Sequence, residues 1–142
     1  MHITAKNESE LAKKVWAVIK NKVHGGSVVG LVGDLGSGKT SMAKGIIHLL
    51  DPNLKVTSPT FIICKSYPIK FKGISQVNHI DLYRLGSQAY DMEVEEIIDD
   101  ENSLSFIEWF DLYKKNRISA DIIINLQDIG GGQRKVRIDE YS

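Results

Sequence analysis

The sequence has one cysteine, three prolines, four arginines and no net charge in 142 residues. The lone thiol, Cys64, has no partner for an internal disulfide and suits a reducing compartment. No apolar run approaches the ~20 residues a membrane span requires. The opening stretch MHITAKNESELAKK contains no apolar core of the kind that marks a secretory signal, so a cytoplasmic address is expected. Eighteen Lys and Arg balance eighteen Asp and Glu, which argues against a broad electrostatic grip on DNA or on an anionic membrane. With 42% hydrophobic and 25% charged residues, disorder and fibrous repeats are excluded. The length fits one domain over residues 1–142 and is short for two.

The zero net charge hides a split. Residues 1–71 carry ten Lys and four acids, and residues 72–142 carry eight Lys or Arg and fourteen acids, so the halves stand at +6 and −6. Seven of those acids fall within Asp91 to Glu101. That segment reads either as the solvated face of a helix or as a docking patch for a basic partner.

Hydrophobic periodicity orders the chain. In SELAKKVWAVIKNKV, Leu11, Val15 and Ile19 recur every four residues with Lys13, Lys14, Lys20 and Lys22 opposite, an amphipathic helix that Asn7 or Ser9 could cap and Gly25-Gly26 would end. Ser27 to Gly33 is short, apolar and β-branched, as a strand buried on both faces should be. The helix after it, TSMAKGIIHLL, presents Met42, Ile46, Leu49 and Leu50 as its stripe. Phe61 to Phe71 and Ile74 to Leu82 flank Lys72-Gly73 as a hairpin. Leu104 to Trp109 and Ile122 to Leu126 read as further strands, Asp111 to Asn116 as a short helix or turn, and Gly130 to Gly132 as a turn into Lys135 to Ile138. The sum predicts a three-layer α/β domain like the P-loop NTPases, its sheet mixing parallel central strands with antiparallel hairpins at the margins.

Between the first strand and its helix lies Gly33-Asp34-Leu35-Gly36-Ser37-Gly38-Lys39-Thr40, which satisfies G-x-x-x-x-G-K-[ST] at every position. Glycines let successive backbone N–H groups converge on a phosphate chain at the positive end of a helix dipole. Lys39 offers a mobile charge to the β- and γ-phosphates, and the Thr40 hydroxyl a ligand for Mg²⁺, with Ser41 following on the helix. Hydrolysis needs a carboxylate as well. Asp81 and Glu108 each end an apolar run and could face Mg²⁺ or hold the attacking water. The bland readings are a turn-capping carboxylate for Asp81 and a strand-end surface charge for Glu108. Val56 to Phe61 clusters hydroxyls around Pro59, either as a nucleotide-sensing switch or as an ordinary turn into a strand. His2, His24, His48 and His79 lack metal-ligand spacing and read as structural or exposed.

Taken in order, GDLGSGKT, VTSPTF, NHIDLYRL and FIEWF resemble the bacterial ATPase family that serves tRNA threonylcarbamoyladenosine synthesis, the TsaE or YjeE-type proteins. The resemblance covers most of the chain. It implies ATP held by Gly33 to Thr40 with Thr40 on Mg²⁺, Ser58 and Thr60 in a switch-like loop, Asp81 and Glu108 as the catalytic and metal carboxylates in unassigned order, and Trp109 beside the nucleotide. Lys39 is then catalytic as well as binding. Tyr83 would be a contact or a packing residue, and Arg84 a contact or a partner of the acidic helix. Phe110 departs from the family, which often has proline there. The implied role is ATP hydrolysis weak in isolation and dependent on a TsaB–TsaD complex, with tRNA reached only indirectly. Competing readings are a small-molecule or nucleoside kinase, disfavoured by four arginines and the lack of a lid insertion, and a non-enzymatic nucleotide-dependent switch of the GTP-binding kind, disfavoured because such switches read guanine with an Asn-Lys-x-Asp loop after a late strand and the only Asn-Lys pair, Asn21-Lys22, precedes the glycine loop.

Overall fold

A computed structural model describes residues 1–34, 36–56, 64–83, 92–111 and 118–141. Its elements run β1 (His2–Ala5), α1 (Glu8–Ile19), β2 (Val28–Val32), α2 (Lys39–Leu50), β3 (Cys64–Phe71), β4 (Ile74–Asp81), α3 (Met92–Ile98), β5 (Ser103–Glu108), β6 (Ile122–Gly130) and β7 (Gln133–Glu140). The strands form one sheet in the order β1-β7-β6-β2-β5-β4-β3.

The apolar run of β2 puts it in the middle. It pairs in parallel with β5 on one side and β6 on the other, and β5 pairs in parallel with β4. Burial on both faces demands that continuous apolar character. The margins are antiparallel: β3 with β4, β6 with β7, and β7 with β1. Lys72 and Gly73 both take positive φ at the predicted hairpin turn, 43° and 80°. That is the twist a two-residue turn needs to match its strands.

Two apolar clusters lie on opposite faces of the sheet. One joins Val29, Leu31 and Phe106 to Leu11, Val15 and Ile19 of α1 and to Met42, Ala43, Ile46 and Ile47 of α2. The other joins Val28, Ile80 and Ile107 to Val94 and Ile98 of α3. These are the three layers expected. Asn7, rather than Ser9, caps α1 by accepting from Glu10 N at 2.9 Å. Such a cap stabilises a helix by about 1 kcal/mol.

Two expectations need correcting, and one strand was missed. In α2 the buried stripe is Met42, Ala43, Ile46 and Ile47, while Leu49 is exposed and Leu50 only partly buried. The helix is rotated because Ala43 and Ile47 also face the sheet. β6 runs on past Leu126 to Gly130, because Gln127 and Asp128 pair with Lys135 and Arg134 across the hairpin. β1 was not anticipated at all: four residues with little burial gain their strand character from β7, whose sequence lies at the other end of the chain. Phe61, Arg84, Asp91 and the Asp111 to Asn116 segment beyond Asp111 lie outside the described residues.

Candidate nucleotide site

The sharp exit of the chain from β2 into α2 builds a cradle. Gly33 cannot carry a side chain, since a Cβ there would lie 2.6 Å from both Leu126 O and Ser37 Oγ. Gly38, at φ 104°, is the N-cap of α2 and provides no side-chain cap. First-turn amides of a twelve-residue helix are thereby left facing the loop, with the helix dipole behind them. Leu35, Ser58 and Thr60 lie outside the described residues.

Lys39 is 4% exposed. Its ammonium donates to Gly33 O at 2.5 Å, to Asp34 O at 2.9 Å and to Ser37 Oγ at 3.4 Å, and lies 3.9 Å from the centre of the Trp109 ring. Burial pushes its pKa below the ordinary lysine range, and Glu108, Asp111, Asp34 and Asp81 pull it back up. One ammonium thus sits among four acids.

Thr40 begins α2 and Glu108 ends β5, and the two meet: the Thr40 hydroxyl donates to Glu108 Oε1 at 2.5 Å. Glu108 is 2% exposed, which rules out the surface-charge reading. Asp81 lies beside it, opposite Glu108 in the β4–β5 register, and its Oδ1 accepts from Tyr83 N at 3.0 Å. Asp81 therefore caps a turn and also lines the site. Gly36, Gly38, Lys39, Thr40, Ser41, Asp81, Glu108 and Trp109 converge on a cavity of about 700 Å³, a volume suited to a nucleotide. Trp109 holds a left-handed backbone, φ 60°, and its indole meets the Tyr83 ring at a tilt of 41° with centroids 5.1 Å apart. Tyr83, 56% exposed, leans on Trp109 and lines the cavity, so both of its expected readings stay open. Phe110 explains its departure from proline: its N–H donates to Leu31 O at 3.3 Å and its ring covers Gly30. Proline has no such donor.

The donor set suits a hard cation. A Thr40 hydroxyl that gives its proton to Glu108 keeps oxygen lone pairs for the cavity, and carboxylates stand next to it. Among the described residues no three acids, histidines or cysteines gather into a metal cage. A cation here would take its remaining ligands from water and from phosphate, as Mg²⁺ does.

A sequence profile described as "Threonylcarbamoyl adenosine biosynthesis protein TsaE" matches residues 4–136. The chain belongs to the TsaE family. This family is involved in tRNA threonylcarbamoyladenosine biosynthesis. The TsaE protein of Bacillus subtilis is 31% identical over 111 residues, covering 78% of this chain and 68% of the relative. That of Rickettsia felis is 32% identical over 131 residues, covering 90% and 74%, and that of Haemophilus influenzae 34% over 101 residues, covering 70% and 61%. A crystal structure of Bacillus subtilis YdiB superposes with a TM-score of 0.70 at 23% identity, over 96% of this chain and 82% of that one, and has the same fold. No helix among the described residues is long and apolar enough to cross a membrane.

Two residues at this TsaE site escaped sequence reasoning. His79, expected to be structural or exposed, is fully buried, and its Nε2 lies 2.6 Å from Glu108 Oε2. Arg134 on β7, 8% exposed, donates through Nε to Ser37 O at 2.8 Å and so braces the glycine loop from behind. It also pairs with Asp128 at 3.4 Å and approaches Glu8 at 4.0 Å. His79 stood in the NHIDLYRL motif two residues before Asp81, but no signal there pointed to its contact with Glu108. Arg134 gave none.

Proposed function

We propose that this TsaE protein binds Mg·ATP in the cradle of Gly33 to Thr40 and hydrolyses it in the cytoplasm, slowly alone and faster when docked on a TsaB–TsaD complex that acts on tRNA. The observation that carries this reading is the contact between Thr40 and Glu108, which joins the helix of the glycine loop to the end of the neighbouring parallel strand at the floor of the cavity. Loop amides from Gly36 to Ser41 hold the phosphates, and Lys39 exchanges loop carbonyls for phosphate oxygens. Thr40 and Glu108 together present the oxygen ligands on the metal side. Asp81, one strand further out, is then the carboxylate left to hold a water in line. Trp109 and Tyr83 wall the cavity against bulk solvent. When bound, the Mg²⁺ supplies charge neutralisation to the phosphates and offsets the four acids around one lysine. The balanced charge of the chain favours working through a protein partner over gripping tRNA directly.

ATP hydrolysis measured with and without TsaB–TsaD and tRNA tests the reading. Stimulation is expected, with Lys39→Ala failing to bind nucleotide, and with Glu108→Ala and Asp81→Ala still binding but no longer stimulated. Rapid turnover by the chain alone, indifferent to the complex, defeats the partner-dependent role. Normal hydrolysis by both carboxylate variants defeats the site.

A further inference from the structure

The two carboxylate oxygens of Glu108 are held from different elements. Oε1 accepts from the Thr40 hydroxyl of α2 at 2.5 Å, while Oε2 lies 2.6 Å from Nε2 of His79 on β4. The strand pairing sets this up. Asp81 stands opposite Glu108 and His79 opposite Phe106, and residues two apart on a strand share a face, so all four project to the side of the sheet on which α1 and α2 pack. His79 therefore reaches Glu108 diagonally between neighbouring strands, and both side chains are buried. A carboxylate accepts, and Nδ1 has no partner among the described residues, so the hydrogen belongs on Nε2. Packing alone does not account for a histidine here. Its orphaned Nδ1 is a buried polar atom without a partner, a cost that an aliphatic side chain on the same apolar strand would not carry. What the histidine adds is the Nε2 hydrogen aimed at Glu108.

We propose that His79 is a positioning residue for the metal side of this site: through Nε2 it fixes the Glu108 carboxylate so that Oε1 stays beside the Thr40 hydroxyl, where a divalent cation would bind. The proposal rests on the Mg·ATP reading above and adds what holds the carboxylate in place. Glu108 needs such a donor, because Asp81 stands opposite it in register and like charges so placed repel. The Thr40 contact cannot supply the hold by itself, since it falls on the same oxygen that a cation beside Thr40 would draw upon. The His79 contact falls on the other oxygen and is left intact. Hydrogen bonds that stand behind a metal-binding carboxylate change metal affinity about 10- to 100-fold when they are removed.

The test is calorimetric titration of ATP into the full chain, once with Mg²⁺ and once with EDTA, for the wild type, His79→Leu and His79→Gln. The quantity read is the ratio of the two affinities, because a general loosening of the site lowers both and cancels. In His79→Leu the ratio is expected to fall about tenfold, with affinity in EDTA unchanged. In His79→Gln, whose amide places a donor where Nε2 stands, the ratio is expected to stay near that of the wild type. Should the leucine variant not fold, which a thermal melt shows, His79→Asn takes its place: its shorter amide stops short of Glu108, and the ratio is expected to fall as for leucine. A ratio unmoved by loss of the donor, equal losses in Mg²⁺ and EDTA, or a glutamine variant as impaired as the leucine one overturns the proposal while the Mg·ATP reading stands. A wild-type ratio near one overturns the metal part of that reading and this proposal with it.

Discussion

Glu108 divides its two carboxylate oxygens between Thr40, 68 residues earlier, and His79, 29 residues earlier. Nothing local in the sequence announces that junction. A buried carboxylate oxygen that loses its partner costs about 1 to 3 kcal/mol, which makes His79 the weak point of the arrangement. His79 Nδ1 has no hydrogen-bond partner among the described residues, so its packing is held by Nε2 alone. We predict that His79→Leu lowers the unfolding free energy by about 2 kcal/mol, although leucine suits an apolar strand, and that His79→Gln, which keeps a donor, loses less. Denaturant titration of the three proteins decides, and a leucine variant at least as stable as the glutamine one removes the hydrogen bond from the account. The glycine loop, Lys39, Thr40 and both carboxylates were legible because their residue types and spacing are dictated by phosphate and metal chemistry. His79 and Arg134 were not, because each acts on a residue distant in sequence, Arg134 across 97 positions.

Among the elements, the pair α1 and α2 shows two opposing effects that magnitudes can settle. Glycine inside a helix is less favourable than alanine by about 0.5 to 1 kcal/mol, so Gly45→Ala would stabilise an isolated α2. In the folded chain the new methyl would meet the Ala12 methyl at 2.6 Å, and prising two packed helices apart costs about 1 to 3 kcal/mol. The prediction is a net loss of about 1 kcal/mol, read as a lower thermal midpoint, with Gly45→Ala in an Ala12→Gly background regaining the helix-propensity benefit. A rise in stability for the single variant refutes the close approach. The same helix pair explains why periodicity placed α2 correctly and oriented it wrongly. The run Ile46-Ile47-His48-Leu49-Leu50 offers apolar residues on more than one face, and only the docking of α2 between α1 and the sheet selects Ile47 over Leu49. Strands with a full apolar run, β2 and β5, needed no such context, whereas β1 is a strand only because β7 offers it an edge.

For the whole molecule, any ligand that binds only the folded chain adds stability in proportion to its saturation, about 2.7 kcal/mol at a hundred times its dissociation constant. In a chain of this length that converts to a rise in thermal midpoint of about 6 to 10 °C. On the proposed reading the rise would be conditional on a divalent cation: Lys39 has Glu108, Asp111, Asp34 and Asp81 acting on it, and a bare triphosphate would add negative charge to that cluster. Thr40 and Glu108 would hold a Mg²⁺ there, which would turn part of that repulsion into attraction. The expected pattern is therefore a large shift with ATP and Mg²⁺, a small one with ATP and EDTA, and none for Lys39→Ala under either condition. A shift of equal size in EDTA would mean that the acids do not face the triphosphate, and the cation would then have no place in the description of the cavity.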